Sequence, residues 1–127
     1  MTARTRTAAP GNPQCRGPLP ELEEDFQHWC LEAAHLYRWL VVHSRPARVG
    51  NRGRWATPIQ GDKGAPDLLL ARDGVVFLRE LKRDTTYPDP KQRDWLRELG
   101  EHAAVWRPRD RELILLELKT GRRHMPL

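Results

Sequence analysis

The sequence predicts a small α/β domain folded around a mixed sheet of about four strands, with helices against it. Three features carry that expectation. Asp73-Gly74 sits between two apolar runs, which is the strongest short-range hairpin signal a chain can carry. One segment before the hairpin and one after it repeat apolar residues at three- and four-residue spacing, as amphipathic helices do. A short run, Ala103-Ala104-Val105-Trp106, then supplies a further strand, ended by Pro108. Helices alternating with strands in the order αβββαβ suit a layered domain, and 127 residues suit one domain with a modest core.

In chain order, residues 1–18 are rich in Arg, Thr, Pro and Gly and have no periodicity. They read as a disordered basic tail, leaving 19–127 as the folded unit. A first helix starts near Pro20, a good first helical residue. Its stripe is Leu22, Phe26, Trp29, Cys30, Ala33, Leu36, Tyr37 and Leu40, and Glu21, Glu23, Glu24 and Asp25 crowd the end where the helix dipole favours acids. Trp39-Leu40-Val41-Val42 reads as the first strand. Residues 44–64 lack periodicity and carry Arg45, Arg48, Arg52, Arg54 and Lys63 among glycines and prolines, so they read as a long basic loop. After the hairpin, Asp89 as N-cap, Pro90 at the first position, Gln92 three residues past the cap and Gly100 beyond the end bound a helix. Trp95, Leu96 and Leu99 form its buried stripe. Asp110 is placed to cap a last helix over 113–119, although Leu-Ile-Leu-Leu also fits a buried strand.

The bulk numbers narrow the partners. A formal net charge of +5 favours a polyanion such as nucleic acid. Cys15 and Cys30 make neither a disulfide framework nor a thiolate metal site. No apolar stretch approaches membrane-spanning length and the N-terminus has no apolar signal core, so a cytoplasmic setting without membrane contact is expected.

The hairpin carries the chemistry. A two-residue turn at Asp73-Gly74 pairs Arg72 with Val75, Leu70 with Phe77, Leu68 with Arg79 and Asp67 with Glu80. The two carboxylates then face each other with Cβ atoms about 4.5–5.5 Å apart, which is destabilising unless something neutralises them. Lys82 points to the same face as Glu80, and Val75, Phe77 and Leu81 on the other face supply core. Two acids and a lysine on one face form the layout of a divalent-metal site with a cation beside it. His43 reads as a loop histidine, with a place in the groove as the alternative. Arg45, Arg48, Arg52, Arg54 and Lys63 read as solvated loop cations or, if the chain is a nuclease, as phosphate contacts, which position DNA without reading its sequence.

These pieces resemble the PD-(D/E)XK nuclease superfamily, and within it the VRR-NUC branch, in particular its small stand-alone viral and bacterial members. The matching residues are Glu23 with Phe26-Gln27, then Gly64-Ala65-Pro66-Asp67-Leu68 and Phe77-Leu78-Arg79-Glu80-Leu81-Lys82. Pro90-Lys91-Gln92 with Trp95-Leu96 and Val105-Trp106-Arg107-Pro108 complete the set, in family order across 21–118. The resemblance implies a restriction-endonuclease-like core and hydrolysis of DNA phosphodiesters with Mg²⁺ or Mn²⁺, without a small-molecule cofactor. It implies Asp67, Glu80, the Leu81 carbonyl and Glu23 as metal ligands, with spacing to Phe26 favouring Glu23 over Glu24. Lys82 would orient or activate the attacking water, and Gln92 would approach the site. A general-base lysine would have to be neutral, which the carboxylate pair opposes, so an electrostatic or water-orienting role is expected. Stand-alone members imply a homodimeric Holliday-junction resolvase acting on branched DNA, as in recombination and repair. A flap or nicking nuclease, a catalytically silent DNA-binding module and a scaffold whose acids form salt bridges are the alternatives. The chain departs from the family at Asp84-Thr85-Thr86-Tyr87-Pro88, where a glycine-containing loop is common.

Overall fold

A computed structural model of the chain describes residues 23–44 and 60–126, and the backbone of 47–49 and 54–56. Asp73 and Gly74 turn with both φ angles positive, at 51° and 81°, the arrangement whose twist matches that of the flanking strands. They join β4 (Leu68–Arg72) to β5 (Val75–Leu81) in the expected register, Arg72 opposite Val75, Leu70 opposite Phe77 and Leu68 opposite Arg79. β1 (Leu40–His43) pairs antiparallel with β4, and β6 (Ala103–Trp106) pairs parallel with β5. The result is a mixed four-stranded sheet in the order β1-β4-β5-β6. Among the described residues three α-helices accompany it: α1 (Glu23–Leu36), α2 (Pro90–Leu99) and α3 (Arg111–Thr120). Among the described residues no helix is long and apolar enough to cross a membrane.

One face of the sheet holds the core. Leu68, Leu70, Phe77 and Leu81 meet Phe26, Cys30, Ala33 and Ala34 of α1 and Ile114 and Leu118 of α3. Trp39 stacks on Phe77 with ring centroids 4.8 Å apart and donates its indole N–H to the Leu118 carbonyl at 2.8 Å. The opposite face is only partly covered, and leaves Leu40, Val42, Leu69 and Val76 exposed.

Several expectations need correction. The first strand begins one residue later, which puts Trp39 in the connecting turn and His43 inside β1. The basic segment is not without structure: β2 (Ala47–Val49) and β3 (Arg54–Ala56) form a separate two-stranded ribbon. Strands of three residues are too short to display alternation, so periodicity could not find them. The stripe Trp95, Leu96 and Leu99 of α2 is half-buried rather than buried, because α2 contacts the sheet mainly at its edge strand β6. Leu-Ile-Leu-Leu resolves as helix α3. Pro20 and the tail 1–18 lie outside the described residues.

Alternation also puts Arg79 among the apolar residues of β5. It is fully buried, and its Nε donates to Glu117 Oε1 at 3.2 Å, with both side chains 0% exposed. Glu117 Oε1 also accepts the Trp106 indole N–H at 2.8 Å, and Oε2 accepts the backbone N–H groups of His124 and Met125 at 2.7 and 3.0 Å. Arg79 Nη1 donates to the carbonyls of Leu78 and His102, and its guanidinium lies over the Phe77 ring. Removing one partner of such a pair strands a buried charge, at about 3–5 kcal/mol. Glu117→Ala and Glu117→Gln are therefore each expected to destabilise the domain by about that much in urea or thermal unfolding, because the amide restores neither the charge nor both acceptor oxygens. Small losses in both variants would contradict the network.

Candidate functional site

Asp67 stands one residue before β4, after the buried Pro66. Its carbonyl accepts the Ser44 N–H at 2.9 Å, which ties it to the end of β1, and its Oδ2 accepts the Leu81 N–H at 2.9 Å. Glu80 projects from β5 on the face away from Arg79 and is 2% exposed. Its Oε2 accepts from Gln92 Nε2 at 2.8 Å and lies 3.5 Å from Lys82 Nζ. Its Oε1 is buried and receives no hydrogen bond from an N–H group, and the Glu80 and Asp67 carboxyls lie within hydrogen-bonding reach of each other. Asp67, Glu80, Lys82, Leu81 and Gln92 thus converge at the open end of the hairpin.

The charges there are strained. The Glu80 carboxyl is pushed up to about 8, by burial first and by the Asp67 charge second, with Lys82 pulling against both. Burial also raises Asp67, opposed by the Leu81 N–H and by attraction from His43 and Lys82. Two carboxylates this close and this dry do not both stay charged unless a cation or proton joins them. The buried Oε1 of Glu80, without an N–H donor and beside a second carboxylate, is an acceptor set that a hard cation satisfies. Magnesium needs only one or two carboxylates and keeps several waters, so the donor set fits it. Among the described residues no group of three or more His, Cys, Asp or Glu gathers closely enough to hold an ion by itself.

Gln92 does two jobs that the sequence offered as alternatives. Its backbone N–H donates to Asp89 Oδ1 and its Oε1 accepts the Asp89 N–H, both at 2.9 Å, which closes the capping box of α2. That leaves Nε2 for Glu80. The cap therefore fixes the rotamer that orients Glu80. Gly64 fixes the helix itself: at φ +100°, a Cβ there would lie 2.8 Å from the Lys91 carbonyl carbon and 3.0 Å from the Gln92 nitrogen.

The remaining residues are distributed differently. Glu23 is the first residue of α1 and exposed, as is Glu24, and Glu23 is not grouped with Asp67 and Glu80. The backbones of Arg48 and Arg54 lie on the β2–β3 ribbon opposite Trp55 and Val49. Arg45 and Arg52, and the side chains of Arg48 and Arg54, fall outside the described residues. Lys63 is exposed, and its carbonyl accepts the Trp95 indole N–H at 3.0 Å. His43, expected in a loop, ends β1 opposite Leu68 and acts on Asp67. The signal available was its place at the end of the strand that pairs beside the Pro-Asp step. Comparisons with protein-family models, curated proteins and solved structures found no match for this chain.

Two outcomes follow. Glu80 has a folded pKa near 8 against an ordinary 4.5, so the native state holds a proton that the unfolded chain releases. Its contribution is fully present below pH 4.5 and is lost as pH rises through about 8. Metal-free protein should lose stability over that window, by on the order of 1.4 kcal/mol per pH unit, and Glu80→Gln should flatten the curve. A flat wild-type curve would contradict the buried pair. Separately, Gly64→Ala should shift α2 and loosen Gln92 from Glu80. Its melting temperature should fall, by an amount that corresponds to about 1–3 kcal/mol for forcing a side chain into strained, crowded backbone. A variant as stable as the wild type would mean that the loop moves freely against α2.

Proposed function

We propose that the chain is a divalent-metal-dependent DNA endonuclease that hydrolyses phosphodiester bonds. One observation carries the reading: Asp67 and Glu80 face each other in a desolvated site, and Glu80 leaves one buried oxygen without an N–H donor beside Lys82. A bound Mg²⁺ or Mn²⁺ would neutralise phosphoryl charge and lower the pKa of a bound water. Asp67 and Glu80 would hold the ion, with the Leu81 carbonyl as a further oxygen. Gln92 keeps the Glu80 carboxylate in one orientation, so the site is organised before substrate arrives. Lys82 sits where its charge can orient the attacking water and stabilise the charge that develops on the phosphoryl group. The net charge of +5 and the arginines between residues 45 and 54 favour a polyanionic substrate.

The finer reading is a structure-selective enzyme, a Holliday-junction resolvase working as a homodimer on branched DNA. It comes from the resemblance to stand-alone VRR-NUC proteins and from the need of two symmetric nicks for two sites. Cleavage of end-labelled four-way junction, flap, duplex and single strand in Mg²⁺, Mn²⁺ or EDTA tests both levels. Metal-dependent cutting should fall by at least about 10²-fold in Lys82→Ala, with DNA binding kept. Paired nicks in the junction support the resolvase, whereas cutting only flaps or single strands keeps the nuclease and discards the resolvase. Binding without cutting on every substrate would overturn the endonuclease.

A further inference from the structure

The chain between Lys82 and α2 is unusually well held for a surface loop. Arg83 N–H donates to Thr86 Oγ1 at 3.1 Å, and Thr86 N–H donates to the Arg83 carbonyl at 3.2 Å. Arg107 Nη1 donates to the carbonyls of both Arg83 and Thr86, at 2.6 and 2.5 Å. Arg109 N–H donates to Asp84 Oδ1, and Arg93 Nη1 donates to the Pro88 carbonyl. In the middle of this anchored segment, Tyr87 is 75% exposed.

The ring has one contact of its own. One side of Tyr87 lies against the Arg107 guanidinium, 5.1 Å from its centroid, and Arg107 is itself 8% exposed. Among the described residues no carboxylate lies within ion-pair distance of Arg107, so its charge is spent on two carbonyls and a ring. Arg83 in the same segment and Arg109, whose guanidinium reaches the Asp84 carbonyl at 3.5 Å, are exposed cations, while the acids of the loop, Asp84 and Asp89, both accept backbone N–H groups. The loop also joins two residues of the site, Lys82 on one side and Gln92 on the other.

An exposed aromatic face in a basic segment is what an unpaired base with its phosphate requires. In a duplex both faces of each base are already stacked, so such a platform serves only where a base is unpaired. We propose that Tyr87 stacks on an unpaired DNA base next to the cleaved phosphodiester, so that the site selects substrates with single-stranded character. The inference rests on the endonuclease reading of that site. It also gives a role to the segment where this chain departs from the VRR-NUC pattern.

The test uses 2-aminopurine, whose fluorescence falls on stacking, in a short single strand and in a matched duplex, with EDTA so that neither is cut. The wild type should quench the single strand on binding. Tyr87→Leu, which still covers Arg107 but has no aromatic face, should lose the quench and bind the single strand about tenfold more weakly. Its duplex binding should stay within about twofold, because phosphate contacts are untouched. Tyr87→Trp should restore both readouts, and an unchanged melting temperature excludes a merely structural role. If Leu disturbs the fold, Tyr87→Met makes the same comparison. Equal single-strand affinity in wild type and Leu, equal weakening on both DNAs, or no DNA binding at all would overturn the inference. Mg²⁺-dependent cleavage distinguishes the two levels. A wild type that quenches but never cuts loses the endonuclease, and one that cuts with no Tyr87 effect loses only the platform.

Discussion

Register in the β4–β5 hairpin decides which side chains of β5 meet the core and which meet the candidate site. Successive residues of a strand point to opposite faces, so a slip of one position would exchange every side chain between them. In the register set by Asp73 and Gly74, Phe77, Arg79 and Leu81 enter the core while Glu80 and Lys82 project from the other face. The slipped alternative would bury Glu80 where Glu117 already supplies a negative charge. It would also strip Arg79 of its partner. The buried Arg79–Glu117 pair therefore acts as a lock on register as well as a contact, and it draws β5, β6, α3 and the segment 124–125 to one point.

The candidate site depends on that lock and works against stability. Burying two facing carboxylates is unfavourable, and the fold tolerates it because other contacts hold the backbone in place. Ser44 and Leu81 bracket Asp67 through backbone N–H groups, and the capping box of α2 delivers the Gln92 amide to Glu80. Gly64 lets the preceding loop approach the first turn of α2 more closely than any side chain would allow. The carboxylates are thus positioned by hydrogen bonds from neutral groups. An organised site with one buried oxygen left without an N–H donor is suited to a cation from solution.

Local signals made much of this legible in the sequence. Asp-Gly named the hairpin and its register, and Asp89, Pro90, Gln92 and Gly100 named α2, because each acts through its own few residues of backbone. What the sequence hid was long-range or short. Arg79 and Glu117 are 38 positions apart, and a charged residue in an apolar alternation gives no sign of its partner. The β2–β3 ribbon has strands below the length at which periodicity exists. His43 was one residue from a strand end, where boundaries are least certain. Gln92 was legible twice, as cap and as site residue, but only three dimensions show one amide serving both.

The proposed endonuclease site requires Asp67 and Glu80 to share a divalent cation in place of a proton. Calorimetric titration of Mn²⁺ into the metal-free protein near neutral pH, in buffers of different ionisation enthalpy, measures binding and proton release together. The expected result is saturable binding with about one proton released per ion, abolished by Glu80→Gln. Mn²⁺ binding of equal strength in Glu80→Gln, or no binding and no proton release in the wild type, would contradict it.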